Sequence, residues 1–400
     1  MWQRIKDIYH LLVAVFFILL YRFPARKLTA IGVTGTDGKT TTVNLIYQIL
    51  KEAGKKVSMI SSVNAVIGEK KYDIGFHVTT PDPKDIQKYL AQAVKAGSQY
   101  FVLESTSHGL AQNRLFGCNF KVGVVTNVTH EHLDYHKTYE NYLQAKAKLF
   151  ARVELAVLNK DDESYETLKS KVERQKAKVI TYGIKSKADF TPKNFQFKTL
   201  LPGEYNQYNC LAAIAATSSL KIPALQIKKT LASFKGVEGR MEEVNLGQDF
   251  RLIIDFAHTP NALENVLRTL GESQYGKLIV VFGCAGLRDV DKRPKMGEIA
   301  AKYADLIVLT AEDPRTEDVN KIIDQIVQGC LGQGVKEGTT LFRIPDREGA
   351  IKFAIQKLAK KGDTVVICGK GHEQSMCYGK TEYLWSDFDA VKKALGGLKR

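Results

Sequence analysis

A glycine-rich turn followed at once by lysine and threonine is the most informative local pattern in this chain. Residues 34–42 read TGTDGKTTT and follow an apolar run. Gly35 and Gly38 let the backbone turn without a Cβ in the way, so successive N–H groups can converge on an anion at a helix N-terminus. Lys39 would reach the β- and γ-phosphates of a nucleotide, and Thr40 would ligate Mg²⁺. The pattern predicts a phosphate-binding loop.

The spacing of this loop departs from the strict P-loop pattern in one place. Val33 stands where that pattern has a glycine, five residues before Gly38. The apolar strand before the loop and the amphipathic run 41–50 after it still favour phosphate binding. A dinucleotide site is excluded, because no Gly-x-Gly-x-x-Gly is present and Lys39 would place a charge at the helix entrance.

Composition and charge limit the classes of protein that remain. The chain has 400 residues, 44% hydrophobic and 25% charged, which is globular and long enough for two or three domains. Its formal net charge of +15 comes from lysines and arginines spread along the chain, without an arginine block or interleaved aromatics. This favours small anionic ligands over nucleic acid. The six cysteines form no Cys-x-x-Cys pair, so we expect reduced thiols and neither a zinc site nor a redox centre.

An apolar segment, residues 8–21, precedes the loop. It is shorter than the ~20 residues that span a bilayer, and no small-residue cleavage site of a signal peptide follows it. A helix packed on the protein's own core and an interfacial membrane helix both fit the segment, and a true span fits it least. We expect a cytoplasmic protein, with peripheral membrane association through residues 8–21 as the alternative. Basic residues flank the segment on both sides: Arg4, Lys6, Arg22, Arg26 and Lys27.

Behind the loop, strand-like and helix-like patterns alternate, which predicts an α/β fold with parallel sheets. We predict a central P-loop parallel-sheet ATPase domain at 28–236 and a smaller Rossmann-like α/β C-terminal domain at 237–400, after an apolar helix segment at 1–27. Ligands of such sheets bind at the carboxyl ends of strands, where the loop, Glu104 and Asn127 all fall. The predicted strands are 100–104, 121–127, 154–159, 251–255, 277–282, 305–310 and 363–368, and the predicted helices include 83–96 and 139–150.

The phosphate loop is the first of eight motifs that occur in a fixed order. They are TGTDGKTTT at 34–42, TTP at 79–81, ESTSH at 104–108, TNVT at 126–129 with HLDYH at 132–136, AKAKLF at 145–150, GRME at 239–242, DFAHTP at 255–260 and GKGHE at 369–373. In this order the chain resembles the Mur ligases over about residues 28–395, and most of all the MurE type. The MurE type is an ATP-dependent ligase that adds the third amino acid to a peptidoglycan precursor. It also carries an N-terminal uridine-nucleotide domain, whereas only residues 1–27 precede the P-loop strand here, so we expect that domain to be lacking.

The resemblance implies a reaction in which ATP phosphorylates a carboxylate and an amine then attacks the acyl phosphate, so charge must be neutralised at the γ-phosphoryl group. It implies catalytic roles for Lys39, Glu104, His132 and Lys146. It implies two Mg²⁺ ions held by Thr40, Glu104, His132 and a carbamate on Lys146. The implied ATP contacts are Gly35, Thr36, Asp37, Gly38, Lys39, Thr40, Thr41, Asn127, Asn209, Arg240, Asp255 and His258. The implied contacts to the muramyl-peptide acceptor are Thr79, Thr80, Thr106 and Arg114.

The incoming amino acid is expected at the C-terminal domain, where residues 312–315 read EDPR. In the resembled enzymes a DNPR sequence marks those that take meso-diaminopimelate. Arg315 suits a distal carboxylate through a bidentate ion pair, and Asp313 in place of asparagine favours a distal cation. Both would suit the zwitterionic end of diaminopimelate, while L-lysine stays open. Gly369 and Glu373 match the clamp on the same amino acid.

Three functions compete at this stage. The first is a MurE-type amide ligase that joins a diamino acid to a muramyl-dipeptide acceptor, acting as a monomer without nucleic acid. The second is another Mur-type ligase, either folylpolyglutamate synthase-like or MurT-like, although the four-cysteine zinc ribbon of MurT is missing. The third is a P-loop module that binds nucleotide without making a bond. The metal-ligand residues, Lys146 and the amino-acid clamp together favour an enzyme.

Overall fold

The computed structural model describes residues 2–75, 79–272, 276–331 and 333–397, with the backbone alone at 2–5. The chain divides into two compact units, unit 1 at Met1–Lys235 and unit 2 at Gly236–Arg400. Each unit has its own apolar core.

Unit 1 is built on an eight-stranded sheet in the order β4-β3-β2-β5-β1-β6-β7-β8. β3 and β4 run antiparallel as one edge, and the other pairs are parallel. Apart from the edge strand β8, the parallel strands consist mostly of buried apolar residues, as expected for strands covered on both faces. The strands are β1 Thr29–Thr34, β2 Val57–Ile60, β3 Ala65–Ile67, β4 Lys70–Tyr72, β5 Tyr100–Glu104, β6 Phe120–Val125, β7 Leu155–Asn159 and β8 Lys178–Tyr182.

Helices cover both faces of this sheet and enclose two apolar layers. They are α1 Trp2–Leu20, α2 Lys39–Glu52, α3 Pro83–Lys95, α4 Ser107–Ala111, α5 Leu133–His136, α6 Tyr139–Ala147, α7 Tyr165–Arg174, α8 Glu204–Ser219 and α9 Ala224–Ser233. A 3₁₀ turn, Pro24–Lys27, precedes β1, and another, Lys148–Phe150, continues α6. Because parallel strands end at the same edge, the residues that follow β1, β2, β5 and β6 come together there.

Unit 2 repeats this plan on a six-stranded sheet in the order β13-β12-β11-β14-β10-β9, in which only β9 is antiparallel among the described pairs. Its strands are β9 Glu242–Glu243, β10 Arg251–Asp255, β11 Leu278–Phe282, β12 Leu306–Leu309, β13 Leu341–Arg343 and β14 Thr364–Cys368, with a separate hairpin of β15 Ser375–Tyr378 and β16 Thr381–Leu384. Its helices are α10 Pro260–Gly271, α11 Lys292–Tyr303, α12 Val319–Cys330, α13 Arg347–Phe353 and α14 Asp387–Gly396.

The predicted α/β class with parallel sheets is therefore confirmed. The strands at 100–104 and 251–255 have the predicted bounds, and the other predicted strands begin or end one or two residues away. The helix predicted at 139–150 is α-helical only to Ala147 and closes as a 3₁₀ turn, a common tightening at a helix end.

The apolar segment at 8–21 lies in α1, which is longer than the segment. α1 packs against α3, and Ala14 and Ile18 are buried there. Several apolar residues on its other side are exposed. In the described part of the chain, no helix combines the length and the apolar character needed to cross a bilayer.

Candidate active site

The predicted phosphate loop lies between β1 and α2, with Lys39 as the first residue of the helix. Gly35 and Gly38 have φ angles of +154° and +81°. A Cβ at Gly35 would overlap the Thr126 hydroxyl, and one at Gly38 would overlap the side-chain oxygen of Asn209. Both positions therefore require glycine. The backbone N–H groups at the start of α2 have no intrahelical partner, which suits the anionic phosphates of a nucleotide.

Polar side chains from β6 and its following loop hold this turn in shape. Asn127 accepts a hydrogen bond from the backbone N–H of Asp37 at 2.9 Å, and Thr126 donates to the Asp37 carbonyl at 2.6 Å. The backbone N–H of Thr36 donates to the Asn127 carbonyl at 2.9 Å. Asn127, which the resemblance placed among the ATP contacts, thus supports the loop backbone. Asn209 packs on the loop from α8 and is buried.

A group of oxygen atoms lies where α2 meets the ends of β2 and β5. The Thr40 hydroxyl is 3.2 Å from Glu104 Oε1 and 2.8 Å from the Ser62 hydroxyl, and Ser62 in turn donates through its hydroxyl and its backbone N–H to Glu104 Oε2. Glu104 is buried. Hydroxyl and carboxylate oxygens are the ligands that Mg²⁺ prefers. Ser62 was not predicted, although it lies just beyond the buried strand β2, as Glu104 lies at the end of the buried strand β5.

Lys146 lies inside the unit and reaches the phosphate loop from α6. Its side chain is only 1% exposed, and its Nζ donates to the Gly35 carbonyl at 2.6 Å and lies 4.3 Å from the centre of the Tyr142 ring. Burial, reinforced by the positive charge of Lys39, lowers the pKa of Lys146 well below its ordinary value. Lys148, two positions on, is exposed and donates to the Ala111 carbonyl.

His132 lies in a group of aromatic rings beside this lysine. It adopts a left-handed backbone with φ +58°, and its ring meets that of His108 edge-on at 4.9 Å. His136 contacts the Ser107 hydroxyl at 3.0 Å, and burial together with Lys146 lowers its pKa to about 4. Within residues 2–75, 79–272, 276–331 and 333–397, no three His, Cys, Asp or Glu side chains converge as a metal site.

Three of the four residues assigned to the acceptor form one hydrogen-bonded group after β5. The Thr106 hydroxyl donates to that of Thr80 at 3.0 Å, and Arg114 donates to the Thr80 carbonyl at 3.1 Å. Thr106 also caps α4. Thr79, the fourth, precedes Thr80 and is half-buried.

In unit 2, the residues assigned to ATP surround one unpredicted aromatic ring. The Arg240 guanidinium lies 4.4 Å from the centre of the Phe256 ring, and the His258 ring lies 4.5 Å from it. Asp255 accepts the backbone N–H groups of Met241 and Ala257 at 2.6 and 2.7 Å, so its carboxylate orders the turn that carries Arg240. Burial, with the nearby Lys292, lowers the pKa of His258 to about 3. The ring is therefore neutral at physiological pH.

The residues assigned to the incoming amino acid converge on a lysine that was not predicted. Lys370 Nζ lies 2.9 Å from Asp313 and 2.5 Å from Glu373, and the lysine side chain is fully buried. Burial opposes its charge, but Glu373 and Asp313 raise the pKa of Lys370 above its ordinary value. The charge of Asp313 is therefore balanced from within the chain. The sequence assigned Asp313 to a distal cation of the substrate, and its ion pair with Lys370 weakens that assignment.

Arg315 and Glu312 complete this loop. Arg315 donates to the Gly286 carbonyl at 2.6 Å, and its backbone has φ +53°. Glu312 is buried, and its Oε2 has no hydrogen-bond partner in the described residues. A Cβ on Gly369, which has φ +110°, would lie 2.6 Å from that oxygen. Burial raises the pKa of Glu312 to about 8, against the lowering effect of Lys292.

Comparison with known proteins identifies this pair of units. Residues 33–217 match the Mur ligase middle domain, and residues 239–371 match the Mur ligase, glutamate ligase domain. The chain belongs to the Mur ligase family. Among relatives, a UDP-N-acetylmuramoyl-L-alanyl-D-glutamate–2,6-diaminopimelate ligase of Clostridioides difficile is 38% identical over 94% of this chain and 81% of its own length.

Solved structures agree with this assignment. A structure of a UDP-N-acetylmuramoyl-L-alanyl-D-glutamate–2,6-diaminopimelate ligase matches this Mur ligase at 32% identity with a TM-score of 0.62, covering 92% of this chain and 78% of the other. A Mycobacterium tuberculosis folylpolyglutamate synthase matches at 16% identity with a TM-score of 0.70, covering 96% and 95%. At that identity the second likeness concerns the fold alone.

Family membership implies an ATP-dependent ligase that forms carbon–nitrogen bonds and uses Mg²⁺. The residues present fit both ATP and Mg²⁺. The glycine turn lies at the N-terminus of α2, a position that suits phosphate, and the hydroxyls of Thr40 and Ser62 with the Glu104 carboxylate form a hard oxygen site beside it.

Proposed function

We propose that this Mur ligase joins meso-diaminopimelate to a UDP-N-acetylmuramoyl-L-alanyl-D-glutamate acceptor at the expense of ATP. The relatives at 36–40% identity include ligases that carry both compounds in their names. Arg315 supports a substrate with a distal carboxylate, because guanidinium pairs with carboxylate in a bidentate geometry. L-lysine is the second candidate, since its side chain also ends in an amine.

The observation that carries catalysis, beyond nucleotide binding, is the position of Lys146. A module that only binds nucleotide needs no buried amine against the phosphate loop, and burying one is unfavourable. Its lowered pKa favours the neutral amine, which is the form that adds CO₂ to give a carbamate. The carbamate would turn a buried amine into an oxygen ligand. The exposed ammonium of Lys148 has neither property.

The reaction proceeds in two stages that balance without an outside reagent. A carboxylate oxygen of the acceptor attacks the γ-phosphorus of ATP, and the bond to the ADP oxygen breaks. The amino nitrogen of the second substrate then attacks the acyl carbon, inorganic phosphate leaves, and the nitrogen gives up a proton. Lys39, the first residue of α2, would follow the charge of the transferred phosphoryl group.

The metal residues divide into two sets around this loop. Thr40 and Glu104 would hold one Mg²⁺ beside the β- and γ-phosphates, with Ser62 next to both. His132 and the carbamate on Lys146 would hold a second. When bound, Mg²⁺ would neutralise phosphate charge and polarise the phosphorus–oxygen bond.

The acceptor and the amino acid would be held by separate groups of the chain. Thr80, Thr106 and Arg114 form the hydrogen-bonded group of unit 1 that would orient the acceptor. In unit 2, Arg315 would offer a positive charge to a zwitterionic amino acid, and Glu373 a negative one, because Lys370 shares its single charge between Asp313 and Glu373. Lys370 holds Glu373 in place through its ion pair.

The decisive experiment measures the product directly. Purified protein is incubated with ATP, Mg²⁺ and the UDP-muramyl dipeptide, together with meso-diaminopimelate, L-lysine or L-ornithine, and the product is identified by mass spectrometry. We expect tripeptide with diaminopimelate, one ADP released per bond, and a much lower rate with the two amino acids that lack the distal carboxylate.

Two results would contradict the proposal. Equal rates with diaminopimelate and lysine would remove the role given to Arg315. ATP hydrolysis without any amide product from the muramyl acceptor would point to another acceptor class within the same family.

A further inference from the structure

Helix α1 presents two apolar sides, of which the rest of unit 1 covers one. Ala14 and Ile18 are buried, Ile18 against Gly117, and α1 packs on α3. The Asn113 side chain donates to the Asp7 carbonyl at 3.4 Å. These contacts fix the orientation of the helix, so the opposite side faces outward.

The outward side is apolar without interruption. At 100° per residue the exposed side chains fall within an arc of roughly 140°. Leu12 is 64% exposed and Phe16 60%. A surface helix of a globular protein carries charged residues on such a face, and a helix that is apolar all round is normally covered. The residues of this apolar face are Ile8, Tyr9, Leu12, Val15, Phe16, Leu19 and Leu20.

The charges around the apolar face all have one sign at its C-terminal end. Arg22, Arg26 and Lys27 are exposed, and the Arg26 guanidinium lies 4.3 Å from the centre of the half-exposed Phe23 ring. From residue 8 to residue 36 the chain contains no aspartate or glutamate. At the other end the exposed Lys6 is next to the half-buried Asp7. An apolar surface with cations gathered at one end is complementary to a layer with an apolar interior and an anionic rim.

We propose that the apolar face of α1 docks on the surface of an anionic lipid bilayer, with the helix axis in the membrane plane. Leu12, Phe16 and the other residues of the apolar face would insert into the acyl-chain region. The basic residues at the helix end would lie at the headgroups, where lysine and arginine attract anionic lipid. A protein partner or a second copy would cover the apolar residues equally well, but neither requires the group of exposed cations at the C-terminal end of the helix.

Docking in this way would bring the bilayer near the residues assigned to the acceptor, an assignment that rests on the proposed function. Asn113, which holds α1 through Asp7, is next to Arg114 in the chain, and Arg114 belongs to the group assigned to the acceptor. The bilayer would therefore lie on the side of unit 1 that holds the muramyl peptide. The docking itself does not depend on ligase activity.

The test is flotation of the full chain with vesicles of phosphatidylcholine and phosphatidylglycerol, compared with phosphatidylcholine alone, at about 0.05 M and about 0.5 M salt. We expect the protein to float with the anionic vesicles at low salt and at least about tenfold less at high salt or without the anionic lipid. The triple variant Arg22→Gln, Arg26→Gln, Lys27→Gln should lose most of the difference between the two vesicle types.

A matched pair of variants tests the apolar face itself. Leu12→Glu with Phe16→Glu should abolish flotation, while Leu200→Glu with Leu225→Glu should not, because the latter two are exposed apolar residues of the same unit away from α1. Circular dichroism and thermal unfolding establish that each variant is folded.

Three outcomes would overturn the proposal. The first is no flotation on either vesicle at low salt. The second is equal flotation of the wild type and the Leu12→Glu, Phe16→Glu variant. The third is a wild-type dimer in light scattering that this variant converts to a monomer, which would make a second copy the occupant. Since flotation needs no turnover, its failure would leave the proposed ligase function unaffected.

Discussion

Two lysines, one in each unit, are both fully buried, yet the chain treats their charges in opposite ways. Lys146 in unit 1 donates to a backbone carbonyl, and among the described residues no carboxylate forms an ion pair with it. Lys370 in unit 2 lies between the carboxylates of Asp313 and Glu373. Burial and Lys39 lower the pKa of the first, whereas the two carboxylates overcome burial and raise the pKa of the second.

The difference shows that burial alone does not determine what a lysine can do. Burial disfavours the charged form in both places, and the partner decides which form persists. Burial favours the neutral form of Lys146 at the phosphate loop, which suits this amine to modification by CO₂. Lys370 is a fixed cation that orders two carboxylates near the proposed amino-acid site. The first is expected to matter for chemistry and the second for stability.

The largest expected effect is on the stability of unit 2. Lys370→Met leaves Asp313 and Glu373 without their shared cation, and breaking a buried ion pair costs about 3–5 kcal/mol. Lys146→Met removes one uncompensated amine and one hydrogen bond, so it should change stability by no more than about 1 kcal/mol. Urea denaturation in CO₂-depleted buffer measures both. Equal losses would mean that burial, and not pairing, distinguishes these sites.

For catalysis the order should be reversed, with the larger effect at Lys146. Lys146→Ala should reduce turnover by at least about 10²-fold, as for other groups that act on charge in the transition state. Small carboxylates such as acetate should restore part of the rate. Lys148→Ala is the matched control and should change turnover little. Carbon-13 NMR with labelled CO₂ should show a carbamate signal in the wild type that is absent from Lys146→Ala; a signal that persists would move the carbamate elsewhere.

A smaller effect should separate the substrate of unit 2 from that of the phosphate loop. If Arg315 pairs with the distal carboxylate of diaminopimelate, Arg315→Ala should raise the KM for that amino acid by about 30-fold, or about 2 kcal/mol. The KM for ATP should stay the same, and so should the KM for any L-lysine activity, because lysine has no distal carboxylate. A rise in all three constants would indicate a structural role through the contact with Gly286.

The smallest expected effect concerns Glu312, a buried acid beside the Lys370 cluster. The pKa of Glu312 is raised from 4.5 to about 8, so between these values the folded state binds more protons than the unfolded state. The free energy of unfolding must then fall as pH rises through this window. Glu312→Gln cannot titrate, and its loss between pH 6 and pH 8 should be smaller by about 1–2 kcal/mol. Parallel pH profiles from urea denaturation would show that Glu312 does not titrate here.

Much of this architecture was predictable because its signals are local. Continuous apolar runs predict buried parallel strands, and the glycine turn before Lys39 predicts a phosphate loop wherever the chain goes afterwards. The order of the motifs led to the Mur ligase family, which the comparisons confirm. The strand-end positions of Glu104 and Asn127 followed from the same alternation.

What the tertiary structure alone decided depends on residues far apart in the chain. Ser62 joins Thr40 and Glu104 only because β2 lies next to β5 in the sheet. Asp313 read alone suggested a free charge for a substrate cation, but the fold brings Lys370 to it from the end of another strand.

The apolar segment at 8–21 shows the same division within a single helix. Its composition by itself predicted an apolar helix with basic flanks and left open whether that helix was buried or interfacial. Only its packing on α3 determined that Ala14 and Ile18 face inward while Leu12 and Phe16 face outward. A helix that is apolar all round has no periodicity to mark its inner side, so the neighbours against which it packs must make that choice.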